Sequence, residues 1–329
     1  MSTATILSHL SPESLGEVSK LINQKTSVET VYFFPISFIT LLFILYLLAN
    51  VLHNLILPRA IGHKWHKDIK PEHRRTMVVY VLQILLTTVA LVLQLAVAAL
   101  LQNEFSVWRI NVLRASACII AALYVFELIY RYRMTYPMIS HHAITCFAIS
   151  LSLVMLEKLQ DPSFALTGLL WIFQATTEQT CFVALFMYRL SEPVKVLRPL
   201  FCVSAVQSLV FKFASIGGTV WVWATYQRHG TSELSHAWTA LFWTSTAGLA
   251  FSQVWGAWVV WKVGASLEKR YQQKREQEEA AQAKQTVPVL RRSESTMQYL
   301  HYGKASISAG TSRSPSMQIA ACDLEKGSF

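Results

Sequence analysis

Residues 31–57 read VYFFPISFITLLFILYLLANVLHNLIL, a run of 27 residues without Asp, Glu, Lys or Arg. An α-helix rises 1.5 Å per residue, so this run is long enough to cross the membrane hydrocarbon core of about 30 Å. Apolar side chains occupy all faces of such a helix, which favours lipid over water as its surroundings. The stretch therefore predicts a transmembrane helix.

Six more apolar segments of similar length follow along the chain. The predicted seven spans are residues 31–57, 77–101, 110–130, 138–156, 164–188, 199–226 and 237–261. The chain is 53% hydrophobic and only 15% charged, whereas soluble domains carry about 25% charged residues. The sequence therefore predicts an all-α, polytopic transmembrane bundle of about seven spans.

Lys and Arg are concentrated in alternate loops between these spans. Loop 58–75 holds six of them, and the third and fifth loops are also basic, whereas the second, fourth and sixth loops hold only Arg109, Lys158 and Arg228. Because Lys and Arg accumulate in cytosolic loops, this alternation predicts a lumenal N-terminus and a cytosolic C-terminus. The same effect accounts for the formal net charge of +10, so we expect neither nucleic-acid binding nor a soluble enzyme.

The chain divides into four predicted segments. Residues 1–30 form a lumenal N-terminal segment, residues 31–57 an extra first transmembrane helix, and residues 70–265 a six-span domain. Residues 266–329 begin with a charged, helix-prone stretch and continue as a Ser-rich tail that is poor in large apolar residues. We expect that tail to be disordered, because it cannot bury enough apolar surface to offset the entropy of ordering it.

Several polar side chains fall inside the predicted spans, where they are costly and mark candidate functional sites. If the chain is an enzyme, we expect His141, His142 and Glu178 to be catalytic. The expected lipid or substrate cavity is lined by Glu127, Gln174, Thr177, Gln207, Lys212 and Gln253.

Helical spacing groups some of these residues. Gln174 and Glu178 are four residues apart, which predicts a shared helix face. A polar stripe along the sixth span comprises Ser204, Ser208, Lys212, Ser215 and Thr219. Such a stripe is expected to face the bundle interior or a wet cavity. Small residues recur every four positions in the seventh span, at Gly248, Ser252 and Gly256, and predict a close helix-packing face.

Glu178 and Lys212 lie at similar predicted depths on neighbouring spans. Glu178 is ten residues before Tyr188, roughly 15 Å from the cytosolic end, and Lys212 is thirteen residues after Pro199, roughly 20 Å from that end. Opposite charges at this depth are expected to pair, because each alone is costly in hydrocarbon. The alternative is that each charge meets water in a wet cavity.

Each candidate also has a structural interpretation. Glu127 could form an interfacial i,i+4 ion pair with Arg131, and the histidines could be packing residues bonded to the backbone. The three glutamines could form interhelical hydrogen bonds. The histidines predicted on the cytosolic side are His63, His66, His73, His141 and His142, too few for a membrane di-iron centre, so we expect no metal.

Residues 124–151, YVFELIYRYRMTYPMISHHAITCFAISL, resemble the TLC-domain family. This family includes ceramide synthases, translocon-associated membrane proteins and a neuronal-lipofuscinosis protein. Its pattern is a helix that ends in an acidic stretch, a short basic loop and a histidine pair that opens the next helix. Glu127, the loop with Arg131 and Arg133, and the pair His141-His142 match that pattern. The resemblance covers roughly residues 70–265.

The resemblance implies an endoplasmic-reticulum protein of lipid metabolism whose partners are membrane lipids, with a homo-oligomer as a further option. For its enzymes it implies acyl transfer from acyl-CoA, a co-substrate, to a sphingoid amine at the histidine pair, without a bound cofactor. Ceramide synthases carry a His-Asp and then another Asp in the next span, where this chain has Gln174, Ala175 and Glu178. A non-catalytic role in lipid binding or regulation is therefore slightly favoured over a ceramide-synthase-like acyltransferase.

Glycosylation mapping checks the predicted orientation. The chain has no Asn-x-Ser/Thr acceptor of its own, so an inserted acceptor reports one loop at a time. We expect an acceptor inserted in loop 58–75 to stay unmodified and one inserted beside Arg109 to be glycosylated, as measured by a gel shift that a glycosidase reverses. Modification within loop 58–75 would contradict the orientation.

Overall fold

The computed structural model describes residues 30–159, 161, 163–191, 193–227 and 233–294, and every element in these ranges is helical. The α-helices are α1 (Thr30–Val51), α2 (Leu57–Ile61), α3 (His63–Lys67), α4 (Pro71–Ala96), α5 (Val107–Tyr130), α6 (Tyr136–Leu159), α7 (Ser163–Thr176), α8 (Gln179–Arg189), α9 (Val194–Val222) and α10 (Glu233–Glu294). Two π-helical turns, Leu52–Ile56 and Trp223–Gln227, follow α1 and α9, and a 3₁₀ turn, Ala98–Gln102, follows α4. The predicted N-terminal segment before Thr30 and the tail after Glu294 lie outside the described residues.

Among the described residues, five helical stretches are long and apolar enough to cross a membrane. They are Phe33–Ile61, Pro71–Gln102, Val107–Tyr130, Tyr136–Glu157 and Val194–Gln227, which correspond to the predicted first, second, third, fourth and sixth spans. Large apolar side chains project outward from them, for example Ile36, Val92 and Val206. The predicted all-α polytopic membrane architecture is confirmed.

The other two predicted spans have a different form. The fifth, residues 164–188, is two helices, because α7 ends at Thr176 and α8 begins at Gln179. The prediction that Gln174 and Glu178 share one helix face is therefore wrong: Glu178 lies in the break, with φ −106° and ψ 12°. The seventh, residues 237–261, is the first part of the longer helix α10, which is not among the five stretches above.

The chain divides into two units, Met1–Gln273 and Lys274–Phe329. In the first unit, a large apolar core surrounds the buried rings of Tyr124, Trp171 and Phe242. A second core, which includes Trp65 and Met77, packs α1 and α3 against α4 and α5. Within the second unit, Arg275 and Glu279 form an i,i+4 ion pair at 2.9 Å.

The polar stripe of α9 faces inward, as its spacing predicts. Its five members are all buried: Ser204, Ser208, Lys212, Ser215 and Thr219. On the opposite face, Val203, Val206 and Val210 are each more than half exposed. Ser215 donates a hydrogen bond to the Leu170 carbonyl at 2.6 Å, so the stripe holds α9 against α7.

Small residues of α10 allow close contact with α6. A Cβ atom added at Gly248 would lie 3.3 Å from Ile144 Cδ1, and Ser252 lies within hydrogen-bond distance of His141. Nothing lies within 4 Å of a Cβ atom added at Gly256. Two of the three predicted small residues therefore contact α6, and Gly256 does not.

Gly248 and Gly256 provide a matched test of this packing. Leucine at position 248 must displace Ile144, so we expect Gly248→Leu to lower the free energy of unfolding by about 1–3 kcal/mol. Gly256→Leu has the same intrinsic effect on helix propensity but meets open space, and should be no less stable than the wild type. Thermal unfolding of the two variants in the same detergent measures the difference. Equal melting temperatures would show that the α6–α10 contact is not tight at Gly248.

Candidate functional site

Five of the predicted site residues, Glu127, His142, Glu178, Lys212 and Gln253, lie in two clusters within the first unit, each with buried charged side chains. The Glu127 cluster consists of Gln83, Glu127, Arg131 and His142. The Lys212 cluster consists of Glu178, Lys212 and Gln253. His141 adjoins a member of each cluster: it precedes His142 on α6, and its ring lies within hydrogen-bond distance of Ser252, the neighbour of Gln253 on α10.

Glu127 is 2% exposed and is the centre of its cluster. Arg131 Nη1 donates to its Oε1 at 2.7 Å, and Gln83 Nε2 donates to its Oε2 at 2.5 Å. The predicted i,i+4 pair of Glu127 and Arg131 is thus confirmed. Arg131 also donates to the Tyr80 hydroxyl at 3.3 Å. The cluster therefore joins α4 to the end of α5, which is the cytosolic end in the predicted orientation.

His142 is enclosed beside this carboxylate. Its Nε2 is 3.3 Å from Glu127 Oε2, and its ring lies 4.1 Å, centroid to centroid, from the ring of Tyr124. The residue is 5% exposed, and neither ring nitrogen has a hydrogen bond of good geometry to a described residue. The Nε2 contact is therefore a close approach to the carboxylate without hydrogen-bond geometry.

His141 has a different environment. Its Nδ1 lies 3.1 Å from Ser252 Oγ, and its ring centroid is 5.6 Å from that of His142. The side chain is partly exposed. The two rings thus point to different partners, as expected for adjacent positions on a helix, which project about 100° apart.

The predicted ion pair between Glu178 and Lys212 is confirmed. The Lys212 ammonium contacts Glu178 Oε1 and also Gln253 Oε1. Lys212 is 3% exposed and Gln253 is 4% exposed. One buried cation therefore links α9 to the break between α7 and α8 and to α10.

Side chains also satisfy the backbone at that break. Gln179 Nε2 donates to the Thr176 carbonyl at 2.5 Å, and Gln207 Nε2 donates to the Thr177 carbonyl at 3.4 Å. Thr180 Oγ1 donates back to Gln207 Oε1 at 3.1 Å. Non-helical backbone at membrane depth is tolerated where such partners replace the missing helical bonds. The prediction that Gln207 forms interhelical hydrogen bonds is confirmed.

Gln174 does not join either cluster. It is 2% exposed, and neither atom of its amide has a hydrogen-bond partner among the described residues. Thr177 donates to the Phe173 carbonyl at 3.3 Å and is also buried. Of these two predicted cavity residues, Gln174 is therefore packed within α7 and Thr177 just after its end. Thr177 directly precedes Glu178 of the Lys212 cluster.

Several residues of the site do not appear among the sequence candidates. Gln83 and Ser252 are polar residues inside predicted spans, which is the signal that could have identified them. Tyr80 and Tyr124 have no such signal, because tyrosines are common near span ends. A third buried network, Gln94 with Ser116 and Thr176, was also missed.

In both clusters, an oppositely charged side chain neutralises the carboxylate. Each buried carboxylate already faces a cation, Arg131 or Lys212. Within the described ranges, no group of three or more His, Cys, Asp or Glu side chains is placed to hold a metal ion. No protein-family model, curated protein or solved structure matches the chain, so the TLC-domain resemblance stays a prediction.

A double-mutant cycle tests the pair in the Lys212 cluster. Lys212→Met leaves a buried carboxylate without its cation, and Glu178→Gln leaves the ammonium without its anion, so each should cost about 3–5 kcal/mol of unfolding free energy. The double variant should lose less than the sum, with a coupling energy of at least about 1 kcal/mol.

The partly exposed pair Glu104–Arg109, at 2.9 Å, is the control. Its side chains are 39% and 25% exposed, so the cycle Glu104→Gln with Arg109→Met should give a coupling of only about 0.2–1 kcal/mol. Denaturant unfolding in detergent measures both cycles. Strict additivity at Glu178 and Lys212 would mean that the two charges do not interact.

Proposed function

We propose that this integral membrane protein is a non-catalytic lipid-binding protein of the endoplasmic reticulum that adjusts membrane lipid composition. The observation that carries the proposal is the enclosure of His142. The lipid part of the proposal comes from the resemblance of residues 124–151 to the TLC-domain family.

Enclosure argues against catalysis because a general base must reach the proton that it removes, at about 2.6–3.2 Å. The Tyr124 ring lies against the ring of His142, and Glu127 lies beside its Nε2. Tyr124 and Glu127 are themselves buried. A substrate would have to displace this packing before either nitrogen of His142 could act.

The proposal gives the two clusters a structural role. Glu127 and Arg131 join α4 to α5, while Lys212 joins α9 to α10 and to the α7–α8 break. Paired charges of this kind fix how helices meet, since an unpaired charge in the interior is strongly unfavourable. A structural cluster of this kind contains the same residue types as a catalytic site. The presence of these residues is therefore compatible with a non-catalytic protein.

A second candidate is the acyltransferase, and the partial exposure of His141 favours it. In that reaction, a lipid amine attacks the acyl-CoA thioester carbon, the C–N bond forms as the C–S bond breaks, and CoA leaves as its thiol. His141 would take the proton lost by the amine and then donate it to the departing CoA sulfur. Ser252, bonded to His141 Nδ1, would then orient the imidazole.

Lipid profiles of null cells that express single variants separate the two functions. Under the proposal, His141→Asn and His142→Asn restore the wild-type lipid profile in proportion to the amount of folded protein. Lys212→Met is the matched control, because it disrupts a buried cluster without removing a histidine. Quantitative lipidomics, normalised to membrane-inserted protein, measures the effect.

Loss of the lipid effect at full abundance in the histidine variants alone would contradict the proposal. A catalytic histidine would also show as a fall of about 10²–10⁴-fold in acyl transfer by the purified protein. Equal lipid profiles for null and wild-type cells would overturn both functions.

A further inference from the structure

A second candidate site lies outside both polar clusters, at the end of α1 that adjoins loop 58–75. It is a cavity of about 490 Å³ between α1, its π-helical turn, the start of α4 and the end of α5. Volumes of 300–1,000 Å³ are typical of small-ligand sites. The residues of the cavity are separate from those of the Glu127 and Lys212 clusters.

One end of the cavity is polar and carries a positive charge. Its polar lining consists of Asn50, His53, Asn54 and Arg75. Among the described residues that line the cavity, Arg75 is the one charged side chain and none is a carboxylate. The Arg75 guanidinium lies over the ring of Tyr130, 5.8 Å from the centroid. The cavity therefore suits an anionic group.

The π-helical turn Leu52–Ile56 contributes two of these polar residues, His53 and Asn54. Such turns often occur at functional sites, because the inserted residue displaces side chains from the regular helical register. His53 Nδ1 is buried and has no hydrogen-bond partner among the described residues.

The rest of the cavity is apolar and faces outward. Leu42 and Phe126 line it together with Tyr46 and Ile129, which are 59% and 73% exposed. Leu42 and Asn54 are twelve residues apart along the helix, which corresponds to about 18 Å. A ligand could thus place a charged head beside Arg75 and an apolar chain along α1, and enter from the side that faces lipid.

We propose that this cavity binds one anionic phospholipid from the leaflet next to loop 58–75, which is cytosolic in the predicted orientation. The phosphate lies beside Arg75 and the asparagine amides, and an acyl chain lies on Leu42, Phe126 and Ile129. Charge complementarity supports this occupant, since loop 58–75 holds six Lys and Arg residues. The inference deepens the proposed function and rests on it for its biological meaning, because it names a lipid class and a site.

Native mass spectrometry of the full chain, released from nanodiscs of phosphatidylcholine with one quarter phosphatidylserine, tests the site. We expect the wild type to retain one phosphatidylserine in preference to phosphatidylcholine. Arg75→Gln removes a charge-assisted hydrogen bond and should reduce that retention by about ten-fold or more. Arg133→Gln, which removes one exposed charge outside the cavity lining, should match the wild type.

A second variant separates binding from folding. Ile129→Trp enlarges an exposed lining residue and leaves Arg75 in place, so it should reduce phosphatidylserine retention without lowering the melting temperature. Equal retention of both lipids by the wild type, or unchanged retention by Arg75→Gln and Ile129→Trp, would overturn the site. Competition by inorganic phosphate or by glycerophosphoserine would also overturn it, since the ligand would then be a soluble phosphate.

These results are independent of the test of the proposed function. Retention is measured on purified protein, whereas the proposed function is measured in cells. His142 is not a lining residue of the cavity, so the His142→Asn protein should retain phosphatidylserine like the wild type. The site is supported by selective retention even if that variant fails in cells.

Discussion

The buried ammonium of Lys212 is the constraint on which the arrangement of the later helices depends. A cation in a membrane-spanning bundle is strongly unfavourable unless other groups replace water around it. Glu178 supplies the opposite charge and Gln253 a carbonyl oxygen. Because these partners come from the α7–α8 break and from α10, pairing Lys212 fixes the positions of both relative to α9.

The break between α7 and α8 follows from the same requirement. A continuous helix would leave the Thr176 and Thr177 carbonyls in helical bonds, whereas here Gln179 and Gln207 side chains bond to them. Glu178 lies in the break and so approaches Lys212 from the start of α8 rather than from the face of a continuous helix. Polar side chains thus offset the lost backbone bonds, as membrane interiors require.

Helix α5 separates two chemically different sites. Glu127 faces inward to Arg131 and His142, while its neighbours Phe126 and Ile129 face the cavity beside α1. Adjacent helical positions point about 100° apart, so one turn of helix supplies both environments. The enclosed side holds paired charges, and the open side combines the positive charge of Arg75 with an apolar surface.

The sequence by itself determined the helical membrane class, and it predicted the inward polar stripe of α9 and the pairs Glu127–Arg131 and Glu178–Lys212, which the structure shows. Each follows from local spacing or from the cost of charge in lipid, which a sequence displays directly. Only the tertiary structure decided the break at Glu178, the isolation of Gln174 and the contact of Tyr124 with His142. Residues 174–181 contain no Gly or Pro to signal a break. Such features depend on partners distant in sequence, such as Gln207, whose side-chain hydrogen bonds arise only when the helices pack.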